Sequence, residues 1–348
     1  MHASVRSAIV GLFALLALAP HAAFAGFYQQ TNLITSATDP DLINPWGISS
    51  SAGSPFWVSD NGTGKSTLYN SLGVKQGLVV SMPSFDPITG QVFNGTASFK
   101  GDVFLFASEA GTIDGWRGAL GTIAENLFSV TDAVYKGLAI SSAKDTLYAA
   151  NFHTGTIDVF DSAGKTGSFS DPTAPAGYAP FNIQNINGTL YVTFAVQDGT
   201  GHDDVSGLGN GLVDVFDPVT HTFTRLVSNG VLDSPWGLAL APAAFGAFAG
   251  DLLVGNFGDG TINAFDPVSG AALGALSDLG GNPLVNPGLW GLKVGNGGNG
   301  GSLDALYLTA GGADEGSGLF ARITAVPEPG TVALLALGLV ALALWRRR

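Results

Sequence analysis

The stretch Gly155-Thr-Ile-Asp-Val-Phe160 decides the fold, because close variants of it recur along the chain. Each variant places a glycine five residues before an aromatic side chain, except for a shortened last copy. The copies begin at Gly64, Gly111, Gly155, Gly211, Gly260 and Gly316. Successive copies are 47, 44, 56, 49 and 56 residues apart. A regular spacing of this size indicates a structural repeat.

A second marker, a short segment around a glycine that is Asn182 in one copy, lies between the copies of the first and has a similar period. Its copies are residues 45–48, 88–90, 136–138, 180–183, 235–238 and 289–292. Within each unit, short segments rich in β-branched and aromatic residues alternate with glycine-containing turns. Four short strands in a unit of about 40–50 residues form one propeller blade. We therefore predict an all-β fold, a six-bladed β-propeller.

The spacing also predicts how the ring closes. The segment that follows Gly291, up to residue 325, and the segment from residue 26 to Gly47 together supply 56 residues, which is one further period. We therefore expect residues 27–34 to join residues 319–323 in one blade. The N-terminal strand would then close the ring and remove an exposed sheet edge. Residues 26–325 would form a single domain.

The first 25 residues have the pattern of a secretory signal peptide. Arg6 supplies a positive charge, residues 8–19 are apolar, and Ala23 and Ala25 form an A-x-A cleavage site. We expect the mature chain to begin near Gly26 and to be exported. An uncleaved N-terminal anchor is the alternative.

The last 23 residues, 326–348, have a separate pattern. Pro327-Glu328-Pro329 precedes residues 331–345, which are apolar except for the first, and Arg346, Arg347 and Arg348 end the chain. Fifteen helical residues span about 22 Å, less than the hydrocarbon core of about 30 Å. The arginines would remain on the cytoplasmic side. We predict a short C-terminal apolar helix that anchors the chain in the membrane.

These three features together resemble the PEP-CTERM sorting signal of Gram-negative bacteria. The resemblance implies that the export machinery and an exosortase-type sorting enzyme handle the chain. It also implies a destination in the cell envelope, at the cell surface or in the extracellular matrix. A plain tail anchor is the alternative, and the signal says nothing about activity.

Charge and composition exclude several function classes. The 348 residues include 14 Lys and Arg, 27 Asp and Glu, and no Cys. Residues 26–325 alone carry 10 bases and 26 acids, a net charge of −16. Such a surface disfavours nucleic acid, whose binding needs Lys and Arg, and it is compatible with divalent cations or neutral glycans. The lack of Cys excludes disulfides, thiolate metal sites and Cys nucleophiles.

The repeat markers resemble those of NHL-type propellers. The whole pattern is similar to an uncharacterised family of exported bacterial propellers that often end in a PEP-CTERM segment. The residues that carry this likeness are 28–33, 44–47, 202–205 and 211–216. The resemblance implies the fold and the destination, and it implies no activity.

His202, Asp203 and Asp204 are the candidate ligand-binding residues. They lie in an insertion that lengthens one repeat, and glycines flank them on both sides. Three polar groups in a loop could bind Ca²⁺ or another divalent cation, or could lie over the channel of the propeller. The alternative is a solvated acidic loop.

Asp60, Asn151 and Asn256 are candidate metal ligands. Each ends the second strand of its unit, so the three are expected on one face of the ring. Sugar lactonases of the six-bladed propeller class hold a divalent metal on the axis with a carboxylate and Asn ligands, and these residues could do the same. Asp and Asn also stabilise tight turns, which is the alternative. An axial glutamate, usual in that class, is not placed by the sequence.

Two functions follow. The first is an exported, surface-sorted propeller that acts without catalysis as a binding or scaffold module for extracellular polysaccharide or a surface protein. The alternative is a metal-dependent, lactonase-like hydrolase with its site at the central channel. The sequence favours the first, because no catalytic motif is present.

Overall fold

The computed structural model describes residues 26–326 and Arg346. Residues 26–326 contain 24 strands, which form six four-stranded antiparallel sheets. The inner strands of neighbouring sheets contact one another all the way round, so the sheets are the blades of a closed ring. The prediction of an all-β, six-bladed propeller is confirmed.

Blades 1 to 6 contain the following strands, each blade written from its inner to its outer strand. Blade 1 is β2 (Pro45–Ser49), β3 (Phe56–Asp60), β4 (Lys65–Tyr69) and β5 (Lys75–Ser81); blade 2 is β6 (Ile88–Phe93), β7 (Phe104–Ser108), β8 (Thr112–Trp116) and β9 (Glu125–Ser129); blade 3 is β10 (Tyr135–Ile140), β11 (Leu147–Asn151), β12 (Thr156–Asp161) and β13 (Gly164–Phe169). Blade 4 is β14 (Tyr178–Ile186), β15 (Thr189–Val196), β16 (Leu212–Asp217) and β17 (Thr222–Ser228); blade 5 is β18 (Pro235–Leu240), β19 (Leu252–Asn256), β20 (Ile262–Phe265) and β21 (Ala272–Ala275); blade 6 is β22 (Leu289–Val294), β23 (Ala305–Ala310), β24 (Leu319–Val326) and β1 (Phe27–Thr35). Four short 3₁₀ turns lie between strands of the described residues, at Asn61–Thr63, Phe99–Gly101, Gly118–Leu120 and Gly246–Phe248.

The N-terminal strand closes the ring, as expected. β1 pairs with β24 in antiparallel register from Phe27 opposite Val326 to Thr35 opposite Leu319. Tyr28 is buried, and its ring lies 4.8 Å from that of Phe245, between centroids. Its hydroxyl donates a hydrogen bond to the carbonyl of Phe245 at 3.0 Å. The closing strand is therefore held both by blade 6 and by a loop of blade 5.

The aromatic residue of the first marker packs between blades. Tyr69, Phe160, Phe216, Phe265 and Phe320 are all buried. Tyr69 of blade 1, for example, stacks on Phe320 of blade 6 with 5.7 Å between ring centroids. This explains why the marker recurs once in each blade.

The glycine of the second marker allows the inner strands to approach each other. A Cβ on Gly90 of blade 2 would lie 2.3 Å from the backbone nitrogen of Leu138 in blade 3. A Cβ on Gly291 of blade 6 would lie 2.5 Å from the carbonyl oxygen of Trp46 in blade 1. No larger side chain fits these junctions without moving the backbone. Blade 4 has Asn182 instead, whose side-chain amide donates to the carbonyl of Trp236 at 2.7 Å.

Some expectations concern other parts of the chain. The signal peptide with Ala23 and Ala25, the C-terminal helix, and most of the sorting segment lie outside the described residues. Within the described residues, no helix is long and apolar enough to cross a membrane.

Candidate functional site

Each inner strand contains a β-bulge near its N-terminal end. The register shifts at the second marker in all six blades. A bulge re-aims the side chain at its position. The residues at or beside these bulges are Trp46, Thr89, Lys136, Phe181, Trp236 and Trp290. We use "upper mouth" for the opening of the channel at the N-terminal ends of the inner strands, next to these residues.

Aromatic residues from several blades meet beneath the upper mouth. Trp46 and Trp290 stack with 3.4 Å between ring centroids, and Trp236 meets both edge-on at 6.0 and 5.9 Å. Phe257 stacks on Trp290 at 4.1 Å. The three tryptophans are buried, with at most 4% of their surface exposed. They therefore pack against each other and form the floor of the site.

A chain of hydrogen bonds lies above this floor. The side-chain amide of Asn61 donates to Glu109 Oε2 at 2.9 Å, and Lys136 Nζ donates to Glu109 Oε1. Lys136 Nζ also donates to Asp203 Oδ1 at 3.3 Å, and His202 Nδ1 lies 2.9 Å from the same oxygen. Side chains from blades 1, 2 and 3 and from the loop after β15 thus meet at one point.

A second branch comes from blades 1 and 6. Asn44 accepts a hydrogen bond from Trp290 Nε1 at 2.9 Å and donates to Glu315 Oε2 at 2.6 Å. Asn44 Nδ2 also lies 3.3 Å from Asn61 Oδ1, which links the two branches. Burial and the negative charges of Glu109 and Asp204 raise the pKa of Glu315. The upper mouth is therefore acidic and densely hydrogen-bonded.

Burial decreases from the floor outward. The Lys136 side chain is only 3% exposed and that of Glu109 11%, whereas His202 is 47% and Asp203 69% exposed. Lys136 Nζ also lies 5.3 Å from the centroid of the Trp46 ring. Burial would raise the pKa of Asp203, but the hydrogen bond with His202 and the charge of Lys136 outweigh it and lower the pKa. The inner half of the site is a buried ion pair, and the outer half faces solvent.

The loop that carries the candidate ligand-binding residues is ordered by its own side chains. Asp198 Oδ1 accepts hydrogen bonds from the backbone N–H groups of Thr200 and His202, at 3.0 and 3.1 Å. A bridge between Gln197 and Asp204 closes the base of the loop. The structure places His202 and Asp203 at the upper mouth, and burial raises the pKa of the neighbouring Asp204.

The three candidate metal ligands make bonds in or next to their own blades. Asp60 is fully buried and accepts a hydrogen bond from Thr67 at 2.7 Å. Asn151 donates to Asp158 at 3.0 Å and accepts from the backbone of Val134. Asn256 donates to the carbonyl of Val231 at 2.8 Å. These bonds hold turns and strand ends. Asp60 Oδ1 and Asn256 Oδ1 are buried and have no hydrogen-bond partner among the described residues, so the metal hypothesis for these residues stays a prediction.

Reasoning from sequence missed Asn44, Asn61, Glu109 and Lys136. Asn61 directly follows Asp60, and Glu109 follows Ser108, so each is the first residue after a second strand. That one-residue step turns the side chain from the blade towards the axis. Glu109 is a glutamate at the channel that the sequence alone could not place. The signal that could have found it was the position after each second strand.

Three side chains at the upper mouth have a donor set suitable for a divalent cation. One ligand atom from each of Glu109, His202 and Asp203 lies within 4.8 Å of the others. Carboxylate oxygens suit hard cations such as Ca²⁺, and imidazole suits transition metals. Lys136 donates to both carboxylates of this group. Its ammonium group therefore already supplies the positive charge that a metal would bring.

Comparison with known proteins supports the propeller fold and the C-terminal sorting signal. The PEP-CTERM protein-sorting motif matches residues 325–348, and this motif implies export and membrane-anchored sorting. Virginiamycin B lyase from Staphylococcus aureus is 12% identical, with a TM-score of 0.53 over 87% of this chain and 100% of that chain. A luciferin-regenerating enzyme is 12% identical, with a TM-score of 0.56 over 85% of this chain and 95% of that chain. At this identity the likeness shows the fold alone. The fold and the motif thus define a six-bladed propeller with a C-terminal sorting signal.

Two proteins of a virus are related to this chain in sequence. Uncharacterized protein R648 of Acanthamoeba polyphaga mimivirus is 36% identical over 282 residues, which cover 73% of this chain and 69% of the relative. Uncharacterized protein L690 of the same virus is 35% identical over 289 residues, which cover 75% of each chain. The chain belongs to the same family as these uncharacterised proteins.

Proposed function

We propose that this protein is an exported propeller that binds an extracellular polysaccharide at its upper mouth without catalysis. The observation that carries the proposal is the hydrogen-bonded chain from Asn61 through Glu109 and Lys136 to Asp203 and His202. Its inner charges neutralise each other, and its outer groups are open to solvent. Paired charges and exposed polar groups suit recognition of sugar hydroxyls by hydrogen bonds.

The chemistry of the inner pair argues against a nucleophile. The Lys136 ammonium donates to two carboxylates, Glu109 and Asp203, so both contacts of this group are ion pairs. A lysine side chain that is enclosed and bonded to two carboxylates is not presented to a substrate as a nucleophile. The site can hold and orient a ligand, which is what a binding or scaffold module requires.

In this proposal, the two ends of the chain determine the destination of the protein. Cleavage at the site formed by Ala23 and Ala25, just before Gly26, would release the exported chain. Pro327, Glu328 and Pro329 with Arg346, Arg347 and Arg348 would present it to an exosortase-type enzyme while the apolar segment holds it in the membrane. The destination would be the cell surface or the extracellular matrix.

Glycan-array binding by the full-length protein tests the proposed ligand. We expect His202→Ala and Asp203→Ala each to weaken binding by about tenfold, since hydrogen bonds to charged groups contribute about 1.5–3 kcal/mol. Asp304→Ala is the matched control, because Asp304 is exposed in the loop between β22 and β23 of blade 6, at the opposite end of the inner strands from the upper mouth. Binding to a surface protein instead of a glycan, or equal binding by all variants, would contradict the proposal.

The second candidate is a metal-dependent, lactonase-like hydrolase. The closeness of the donor atoms of Glu109, His202 and Asp203 favours it. Metal analysis of the full-length protein after purification without chelator separates the two functions. One divalent ion per chain that is lost in Glu109→Gln, together with lactone hydrolysis, would support the hydrolase.

A further inference from the structure

A cavity lies at the end of the channel opposite to the upper mouth. It has a volume of about 250 Å³ and is lined by the C-terminal halves of inner strands, including Ser49, Gln91, Gln184 and Lys293. Lys144, from the loop that follows β10, also lines it. We call this opening the lower mouth. A groove of about 300 Å³ continues from it past Gln184 and Lys293 to Ala239 of blade 5.

The charge of the lower mouth is opposite to that of the rest of the protein. Residues 26–325 carry a net charge of −16. Among the described residues that line this cavity there are two lysines and no Asp or Glu. Neither lysine forms an ion pair with another described residue, whereas each of the other five lysines of residues 26–326 does. Two unpaired cations in an acidic protein indicate a site for an anion.

Burial disfavours the charged form of both lysines as long as no anion pairs with them. It lowers the pKa of Lys293 and also that of Lys144, and no neighbouring carboxylate opposes this effect. Lys144 Nζ lies 4.2 Å from the centroid of the Phe93 ring, which fixes its position beside the cavity. An anion in the cavity would remove this cost by pairing with the ammonium groups.

The other lining groups restrict the kind of anion. Gln91 and Ser49 are buried and bonded to each other or to the backbone, so they form fixed walls. Gln184 is only partly buried and makes no side-chain hydrogen bond with the described residues, which leaves its amide free for a ligand. The cavity is smaller than a drug-sized pocket of about 300–1,000 Å³. A bare phosphate would leave most of it unfilled.

We propose that the lower mouth binds a small acidic sugar, a hexuronate, with its carboxylate on Lys293, a hydroxyl on Gln184, and the second lining lysine, Lys144, adding to the positive potential of the cavity. The polar walls suit the hydroxyl groups, and the two ammonium groups suit the carboxylate. This site lies at the other end of the channel from the site of the proposed function, and it does not depend on that function.

Titration calorimetry of the full-length protein with D-glucuronate tests this site. We expect binding at low salt, weaker binding at high salt, and no binding of glucose, which lacks the carboxylate. Lys293→Met and Lys144→Met should each reduce the affinity about tenfold or more, and Gln184→Leu should reduce it less. Lys100→Met is the matched control, because Lys100 is exposed and pairs with Glu125 outside the cavity.

Three results would overturn the proposal. The first is the absence of glucuronate binding by the wild-type protein. The second is unchanged affinity in both Lys293→Met and Lys144→Met, with wild-type melting curves showing that they fold. The third is inorganic phosphate binding as tightly as glucuronate, which would remove the role of the sugar. Asp203→Ala should bind glucuronate normally, so failure of the upper-mouth proposal is distinguishable from failure here.

Discussion

Glu109 accepts hydrogen bonds from Asn61 of blade 1, at 2.9 Å, and from Lys136 of blade 3. It lies just after the second strand of blade 2, so one carboxylate joins three consecutive blades. Lys136 is nearly enclosed, and its other carboxylate partner, Asp203, is mostly exposed. Glu109 is therefore the main partner of a buried charge.

Glu109→Gln should lower the free energy of unfolding by about 3–5 kcal/mol, because it leaves the Lys136 ammonium buried without its main partner. Urea unfolding of the variant measures this loss. The double variant Glu109→Gln with Lys136→Met removes both charges and should regain most of the stability. A double variant as unstable as the single one would show that the ion pair is not the cause.

Lys136→Met should raise the affinity for divalent cations. The substitution removes the ammonium group from between Glu109 and Asp203 and leaves two carboxylates and His202 close together. Calorimetric titration with Ca²⁺ and Mn²⁺ compares the variant with the wild type. The same substitution at the exposed Lys100 is the control. Equal affinity in all three proteins would mean that these donors cannot converge on an ion.

Gly90→Ala should strongly destabilise the ring. The new Cβ would meet the backbone nitrogen of Leu138 at 2.3 Å, and a backbone cannot move aside as a flexible side chain can. We expect a loss of at least about 3 kcal/mol, at the upper end for overpacking. Gly77→Ala is the control, since a Cβ there meets nothing within 4 Å. Similar melting temperatures for the two variants would refute the close-approach explanation.

Tyr28→Ala should open the closing contact between blades 6 and 5. It removes a buried ring from Phe245 and Phe248 and a hydrogen bond to the Phe245 carbonyl. Truncation of a large buried side chain costs about 3–5 kcal/mol. Gln29→Ala, at the next and exposed position, should change stability by less than about 0.5 kcal/mol. Denaturant unfolding of both variants tests this, and equal losses would count against closure by Tyr28.

Asp114 should make the protein more stable as the pH falls from about 6 to about 4. Burial raises its pKa from 3.8 to about 6, so the folded state takes up the proton first. The cost of the buried charge is complete above the folded pKa and disappears as the pH falls towards the unfolded value. It amounts to roughly 2–3 kcal/mol, at about 1.4 kcal/mol for each pKa unit.

The variant Asp114→Asn isolates this effect. We expect it to be more stable than the wild type at pH 7 and about equal at pH 4, as measured by urea unfolding at each pH. Asp304→Asn, on an exposed loop, controls for the loss of one negative charge. A stability difference between Asp114→Asn and the wild type that stays constant over this range would contradict the expected titration.

The fold could be predicted in detail because its causes are local and repeated. The marker aromatic fills the space between blades, and the marker glycine sits where two inner strands touch, so both are required once in every unit. Even the closing strand followed from counting residues. The pairing of Phe27 with Val326 confirms it.

The upper mouth was harder to predict because its geometry is not local. A shift of one residue at a strand end changes the direction of the side chain. Asp60 bonds to Thr67 within its own blade, whereas the next residue, Asn61, bonds to Glu109 of blade 2. Lys136 and Glu109 are 27 residues apart in sequence, and Lys136 and Asp203 are 67 apart. No spacing rule connects them, since they meet only when blades 2, 3 and 4 pack side by side. His202 and Asp203 could be proposed from the sequence because an insertion sets them apart.

The two faces of the closed ring are not equivalent. Phe27 and Val326 are paired at the end of blade 6 that lies on the side of the lower mouth, and the sorting motif begins at residue 325. A chain held by that motif is held from one side only. The lower mouth lies on the same side of the ring as the start of the motif, and the loop with His202 and Asp203 lies on the opposite side. The position of the closing strand would thus set the orientation in which the molecule is displayed.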